Sequence, residues 1–160
     1  MQELKWKINE MPKTEDKNLP LMSMEEVKKA RTFHESFPQY TKTPLCKLPH
    51  MAKYLGLGNV YVKDESYRFG LNAFKVLGGS YAIARYIAEE TGKDISELPY
   101  SVLTSDKLKE EFGTATFFSA TDGNHGRGVA WAANKLKQNC VIIMPKGSSE
   151  TGLKHIKAEM

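Results

Sequence analysis

The sequence predicts an α/β fold built on a doubly wound parallel sheet, and three observations lead there. Short segments rich in β-branched and aromatic residues stand at 59–63 (NVYVK), 116–119 (TFFS) and 140–144 (CVIIM). Segments with apolar residues at helical spacing separate them, as parallel neighbours require a crossover and helices must cover the sheet. The last strand is a continuous apolar run, the pattern of a strand buried on both faces.

Each element has its own local signal. Residues 1 to about 20 are polar, contain Pro12 and Pro20 and show no sustained period, so they read as an arm. Ser23 and Glu26 have the spacing of a capping box, and Val27, Ala30, Phe33 and Phe37 then recur on one helical face until Pro38. Lys28, Lys29 and Glu35 read as that helix's wet face. Pro44 extends the residue before it, and Pro49 suits the first turn of a short helix closing at Gly56. After strand 59–63 comes a polar stretch, 64–72, whose turn residue is Gly70.

A helix is expected over 74–90, with Val76, Leu77, Tyr81, Ala84 and Ala88 on one side. Residues 94–112 read as a helical connection stopped by Gly113. Beyond strand 116–119, a glycine-rich turn over 121–128 opens a helix through Val129, Ala132, Ala133 and Leu136. A last helix starts near Ser149 and is still running at Met160, so a further part of the sheet is expected beyond this sequence.

Composition narrows the function classes. The 160 residues are 41% hydrophobic and 10% aromatic, the values of a globular chain with a real core. Nothing approaches a membrane-spanning apolar run or the apolar middle of a secretion signal, which points to a cytoplasmic protein with no membrane partner. A net charge of +4, with no block of five like charges, argues against nucleic acid as a partner. Cys46 and Cys140 lack ligand spacing, so reduced thiols are expected and no metal site.

Ligands of open α/β sheets sit beyond the carboxyl ends of strands, which directs attention to 64–79 and 119–128. In the first, Lys75 stands at a helix opening between Phe74, Val76 and Leu77. From context alone it is either a solvated lysine or, if those neighbours desolvate it, a Schiff-base nucleophile. Gly78 and Gly79 inside the helix suggest close packing of the backbone against a sheet or ligand. In the second segment, free N–H groups at a helix start favour a carboxylate or phosphate. The order of Gly123, Gly126 and Gly128 does not fit a dinucleotide fingerprint and no P-loop lysine follows, so NAD and ATP are improbable. Asp122 is open to a capping role, His125 to a structural hydrogen bond, and Arg127 to a plain surface charge.

Together these motifs go beyond composition. Asn72-Ala-Phe-Lys75 followed by Thr121-Asp-Gly-Asn-His-Gly126 resembles the pyridoxal-phosphate enzymes of fold type II, the tryptophan-synthase-β-like superfamily. Within it, KDESYRFGLNAFK at 63–75 and TDGNHGRGVAWAA at 121–133, with MPKG at 144–147, resemble the diaminopropionate ammonia-lyases. The likeness runs from about Arg31 to the end. Leu77 stands where the threonine dehydratase branch usually has arginine, and Asp122 where dehydratases and sulfhydrylases carry a small residue.

The resemblance implies α,β-elimination of 2,3-diaminopropionate to pyruvate and ammonia, with pyridoxal phosphate as electron sink. It implies that Lys75 links to the cofactor and then serves as a base, and that Asn124 bonds the ring's phenolic oxygen. Thr121, Asp122, Gly123, Asn124 and His125 form the implied loop for the substrate carboxylate. Asp122 is implied as a second base, facing Lys75 across the substrate so that both antipodes can be deprotonated. Residues 1–74 are expected in the large domain and 75–160 in most of the small one, in a homodimer. The family's phosphate loop and pyridine-nitrogen partner lie in a second half that is absent here. Three outcomes are therefore open: the elimination, a non-catalytic fragment of such an enzyme, or a serine/threonine dehydratase-like activity.

Overall fold

The computed structural model describes residues 20–160. The expected N-terminal arm lies almost wholly outside them. Helix α1 (Met24–Glu35) begins where the sequence indicates, with the Ser23 hydroxyl accepting from the Glu26 N–H at 3.3 Å. The box is not closed: the Glu26 carboxylate pairs with Lys29 and Arg85. Lys29 also reaches Asp94, which removes it from the purely solvated face. Phe33 and Phe37 are buried, whereas Val27 is exposed, so the apolar stripe of α1 works only at its C-terminal end.

Strand β1 (Leu45–Lys47), helix α2 (Pro49–Leu55) and strand β2 (Tyr61–Lys63) follow. Pro49 at the first turn and left-handed Gly56 at the end bound α2 as expected. β1 and β2 pair antiparallel, a pairing that the parallel expectation did not contain. A 3-10 turn, Glu65–Gly70, capped by Asp64, leads into helix α3 (Val76–Thr91).

The connection 94–112 is helical in three short pieces: a 3-10 turn (Ile95–Glu97), α4 (Tyr100–Leu103) and α5 (Asp106–Phe112). Gly113, at φ 78°, stops the last of them. Strand β3 (Thr116–Ala120), helix α6 (Asn124–Lys135), strand β4 (Asn139–Ile143) and helix α7 (Glu150–Glu159) complete the chain. β3 and β4 pair parallel across α6, the βαβ unit that the sequence predicts.

The core lies between α1, α3 and α6. Val76, Ile83, Ala84, Ile87 and Ala88 of α3 meet Trp131, Ala132, Ala133 and Leu136, with Leu98 and Leu103 closing one end. Phe37 stacks on Trp131 at 5.8 Å, and Phe69 packs on Trp131 at 5.0 Å. Phe117 and Cys140 turn to this core from one face of the strand pair. The other face does not match the both-sides burial read from CVIIM: Phe118, Val141 and Ile143 are exposed, because helices of the described residues cover one face only. Both cysteines are free thiols, and burial raises the pKa of Cys140. Among the described residues no helix is long and apolar enough to cross a membrane.

Candidate active site at two helix entrances

Lys75 is the residue from which α3 starts, and no side chain caps that start. The approach to it is contorted. Phe69 (φ 49°), Gly70 (φ 73°) and Asn72 (φ 57°) all take left-handed backbone, so the chain turns sharply between the 3-10 turn and the helix. Below it, Arg68 is buried and its Nε and Nη2 donate to Glu65 at 2.8 and 2.9 Å, while Nη2 also donates to the Thr43 hydroxyl at 3.1 Å. Hydrogen bonding from Arg68 holds the Glu65 carboxyl below its ordinary pKa.

The Lys75 side chain is exposed. Of the two readings left open by the sequence, desolvation by the flanking residues is not found: Val76 turns into the core, Phe74 turns out to solvent, and Leu77 is half-buried.

The second entrance opens α6. The residue before the helix is Gly123, which supplies no side-chain cap, so Asp122 does not take the capping role that was open to it. Asp122, Asn124 and His125 are exposed, Thr121 and Gly123 half-buried. The first helical bond runs from the Arg127 N–H to the Gly123 carbonyl at 3.1 Å. The N–H groups of Asn124, His125 and Gly126 therefore have no partner within the helix and carry its positive dipole end.

Glycine brings the two entrances together. A Cβ on Gly128 would stand 2.8 Å from the Val76 Cα and 3.3 Å from the Lys75 carbonyl carbon, so only glycine lets α6 cross the start of α3 here. One turn on, Gly79 packs against Val129, where a Cβ would meet its Cγ2 at 3.3 Å. Gly78 is different, with open space around it, so the close approach read from the glycine pair belongs to Gly79 alone. Beside this crossing lies a mainly apolar cavity of about 320 Å³, lined by Gly78, Gly79, Phe118, Ser119 and His125 among others. Gly126 is fitted just as tightly against Thr121, Ile142 and Ile156, which seats the bend on β4 and α7.

Two further side chains act here that the sequence did not single out for the site. His34 of α1 is buried, and its Nε2 lies 3.0 Å from the Leu77 carbonyl; since a carbonyl only accepts, Nε2 carries the proton. Burial lowers the His34 pKa, opposed by the Leu77 and Ala30 carbonyls. Arg127 is no plain surface charge, because it is half-buried and paired with Glu159. Neither has a sequence signal, since each partner is more than thirty residues away or on another element.

An exposed lysine at the start of α3, whose backbone meets Gly128 of α6, together with the free N–H groups that open α6, suits a cofactor that offers an aldehyde and a substrate that offers a carboxylate. The family model described as pyridoxal-phosphate dependent enzyme matches residues 37–159. The chain belongs to that family. The chain is 53% identical over 117 residues to the diaminopropionate ammonia-lyase of Salmonella typhimurium, covering 73% of this chain and 29% of the relative. The crystal structure of the Escherichia coli diaminopropionate ammonia lyase in apo form matches with a TM-score of 0.79 and 48% identity, over 88% of this chain and 37% of that one. The E. coli enzyme in complex with D-serine matches with a TM-score of 0.79 and 46% identity, over 88% and 35%. The α/β fold read from the sequence is thus that of the ammonia-lyase structures, and the chain spans about a third of the length of these relatives.

The donor set of the chain fits its family's cofactor. Lys75 could supply the amine for a covalent link, Asn124 has an exposed amide that could serve a ring oxygen, and the α6 entrance has a row of N–H donors that would suit a carboxylate. Among the described residues there is no cluster of three or more histidine, cysteine or acidic side chains able to hold a metal.

Proposed function

We propose that this chain contributes the lysine and the carboxylate-binding bend of an enzyme that eliminates ammonia from 2,3-diaminopropionate, giving pyruvate. The observation that carries the reading is the contact at Gly128, where the start of α3 with Lys75 lies against the first turns of α6. The similarity to the Salmonella and E. coli ammonia-lyases supports the choice of substrate.

Pyridoxal phosphate, when bound, would supply the electron sink for the elimination. Lys75 would hold the cofactor, and its amine would take the Cα proton from one side of the substrate. Asp122, exposed at the opposite entrance, takes it from the other side, so that D and L antipodes are both accepted. Its negative charge also favours the cationic leaving end of a diamino acid. Asn124 bonds the cofactor's phenolic oxygen, and the bend of Thr121, Asp122, Gly123, Asn124 and His125 receives the substrate carboxylate on backbone N–H groups.

In the same reading, residues 1–74 belong with the large domain and 75–160 with the small one, and the enzyme is a cytoplasmic homodimer. Borohydride trapping after addition of pyridoxal phosphate, followed by pyruvate assay with D- and L-diaminopropionate, tests it. An adduct on Lys75 and turnover of both antipodes are expected. Asp122→Asn is expected to abolish turnover of D-diaminopropionate and to spare the L form. Absence of the adduct favours an inert fragment, and an adduct with serine turnover alone favours a dehydratase.

A further inference from the structure

Arg127 makes more contacts than any role in the carboxylate bend requires. Its Nε and Nη2 both donate to Glu159 Oε1, at 2.9 and 2.6 Å, and its Nη1 donates to the Leu71 carbonyl at 3.2 Å. The two charged side chains are 21% and 16% exposed. Glu159 is fixed in turn, because Asn134 of α6 donates to its backbone carbonyl at 2.9 Å. A guanidinium is suited to this, since its rigid fork can serve a carboxylate and a carbonyl together.

The carbonyl it holds is well chosen. Leu71 is buried and lies between Gly70 and Asn72, both left-handed, four residues before Lys75. Phe69 and Asn72 are non-glycine residues in that conformation, which persists only where the surroundings over-determine it. The start of α3 has no side-chain cap of its own, so the direction in which Lys75 leaves the turn has to be set from outside the segment.

We infer that Arg127, locked by Glu159, is a positioning residue for Lys75. It anchors the Leu71 carbonyl, fixes the contorted turn, and so presents the Lys75 amine beside the α6 entrance. Through Glu159 it also ties that turn to α7, the helix after β4. The inference rests on the reading of Lys75 as the cofactor-linked residue.

Two measurements on the protein test it. In the first, pyridoxal phosphate is added, trapped with borohydride, and its distribution over lysines read by peptide mass spectrometry, with exposed Lys53 and Lys109 as internal references. Arg127→Gln and Glu159→Gln are each expected to lower the ratio of Lys75 to Lys53 labelling about fivefold, with the Lys53 to Lys109 ratio unchanged, and Arg127→Lys to restore it only in part. Full restoration by lysine, or an unchanged ratio in both glutamine variants, overturns the inference.

The second measurement needs no cofactor. Amide exchange in peptides covering 69–78 is expected to accelerate about tenfold in both glutamine variants, with β3 and β4 unchanged. Unchanged exchange over 69–78, or an equal rise everywhere, overturns the anchoring. If the unsubstituted protein labels Lys75 no better than Lys53, the cofactor role of Lys75 fails, while the exchange result still decides whether Arg127 holds the turn.

Discussion

The two helix entrances that meet at Gly128 are built on opposite principles. Before α3 the backbone is bent through three left-handed residues and gripped from elsewhere, by the Phe37 and Trp131 rings on Phe69, by Arg127 on Leu71 and by His34 on Leu77. Before α6 the glycine cap leaves the first N–H groups without partners, and the side chains of Asp122, Asn124 and His125 stand in solvent. In the proposed reading, Lys75 has to be aimed, which calls for restraint on its own backbone, and the bend has to receive an anion, which calls for donors that nothing inside the protein already occupies.

The largest effect is expected from loosening the gripped side. Phe69→Ala removes a buried ring that touches Phe37, Tyr40 and Trp131, and is expected to cost about 3–5 kcal/mol in urea denaturation. Gly128→Ala forces the helices apart where backbone meets backbone, and about 1–3 kcal/mol is expected by the same measurement. Gly78→Ala separates the members of the glycine pair. With open space around Gly78 and a helical backbone, alanine is expected to stabilise the protein by up to about 1 kcal/mol.

A pH series sharpens the contrast further. The His34 pKa is lowered in the fold, so the unfolded chain binds the proton more readily. The stabilisation is complete above the unfolded value near 6.5 and is lost as pH falls below it toward the lower folded value. His34→Gln is expected to flatten this part of the stability profile. On the receiving side, Asp122→Asn is expected to change stability by less than about 0.5 kcal/mol, since the side chain is exposed and caps nothing.

How far these features can be read in advance follows the range of the interaction that makes them. Ser23, Gly56 and Ser149 bound their helices through bonds within a few residues, Pro49 does so through its own fixed backbone angle, and all four are visible in the sequence. The βαβ unit is visible for a similar reason, because period and apolar run are local properties. The antiparallel pairing of β1 and β2 was not visible, nor was the one-sided cover of β4, since both depend on which surfaces meet. At the candidate site, the wording around Lys75 and the bend carries the resemblance to the family that matches. The exposure of Lys75 and the division of labour between Gly78 and Gly79 are not legible in that wording, because a side chain's surroundings come from other elements.

The sequence by itself therefore determined the α/β alternation, the places where helices begin, and the chemical groups available at two strand-to-helix turns. Only the tertiary structure decided that those turns touch, that one is held and the other left open, and that Arg127, His34 and Glu159 belong to the holding. The physical reason is one of distance along the chain. Helix starts and strand periods arise from neighbours a few residues apart, whereas the contacts His34–Leu77, Arg127–Leu71 and Arg127–Glu159 span 43, 56 and 32 residues and exist only once the core has closed.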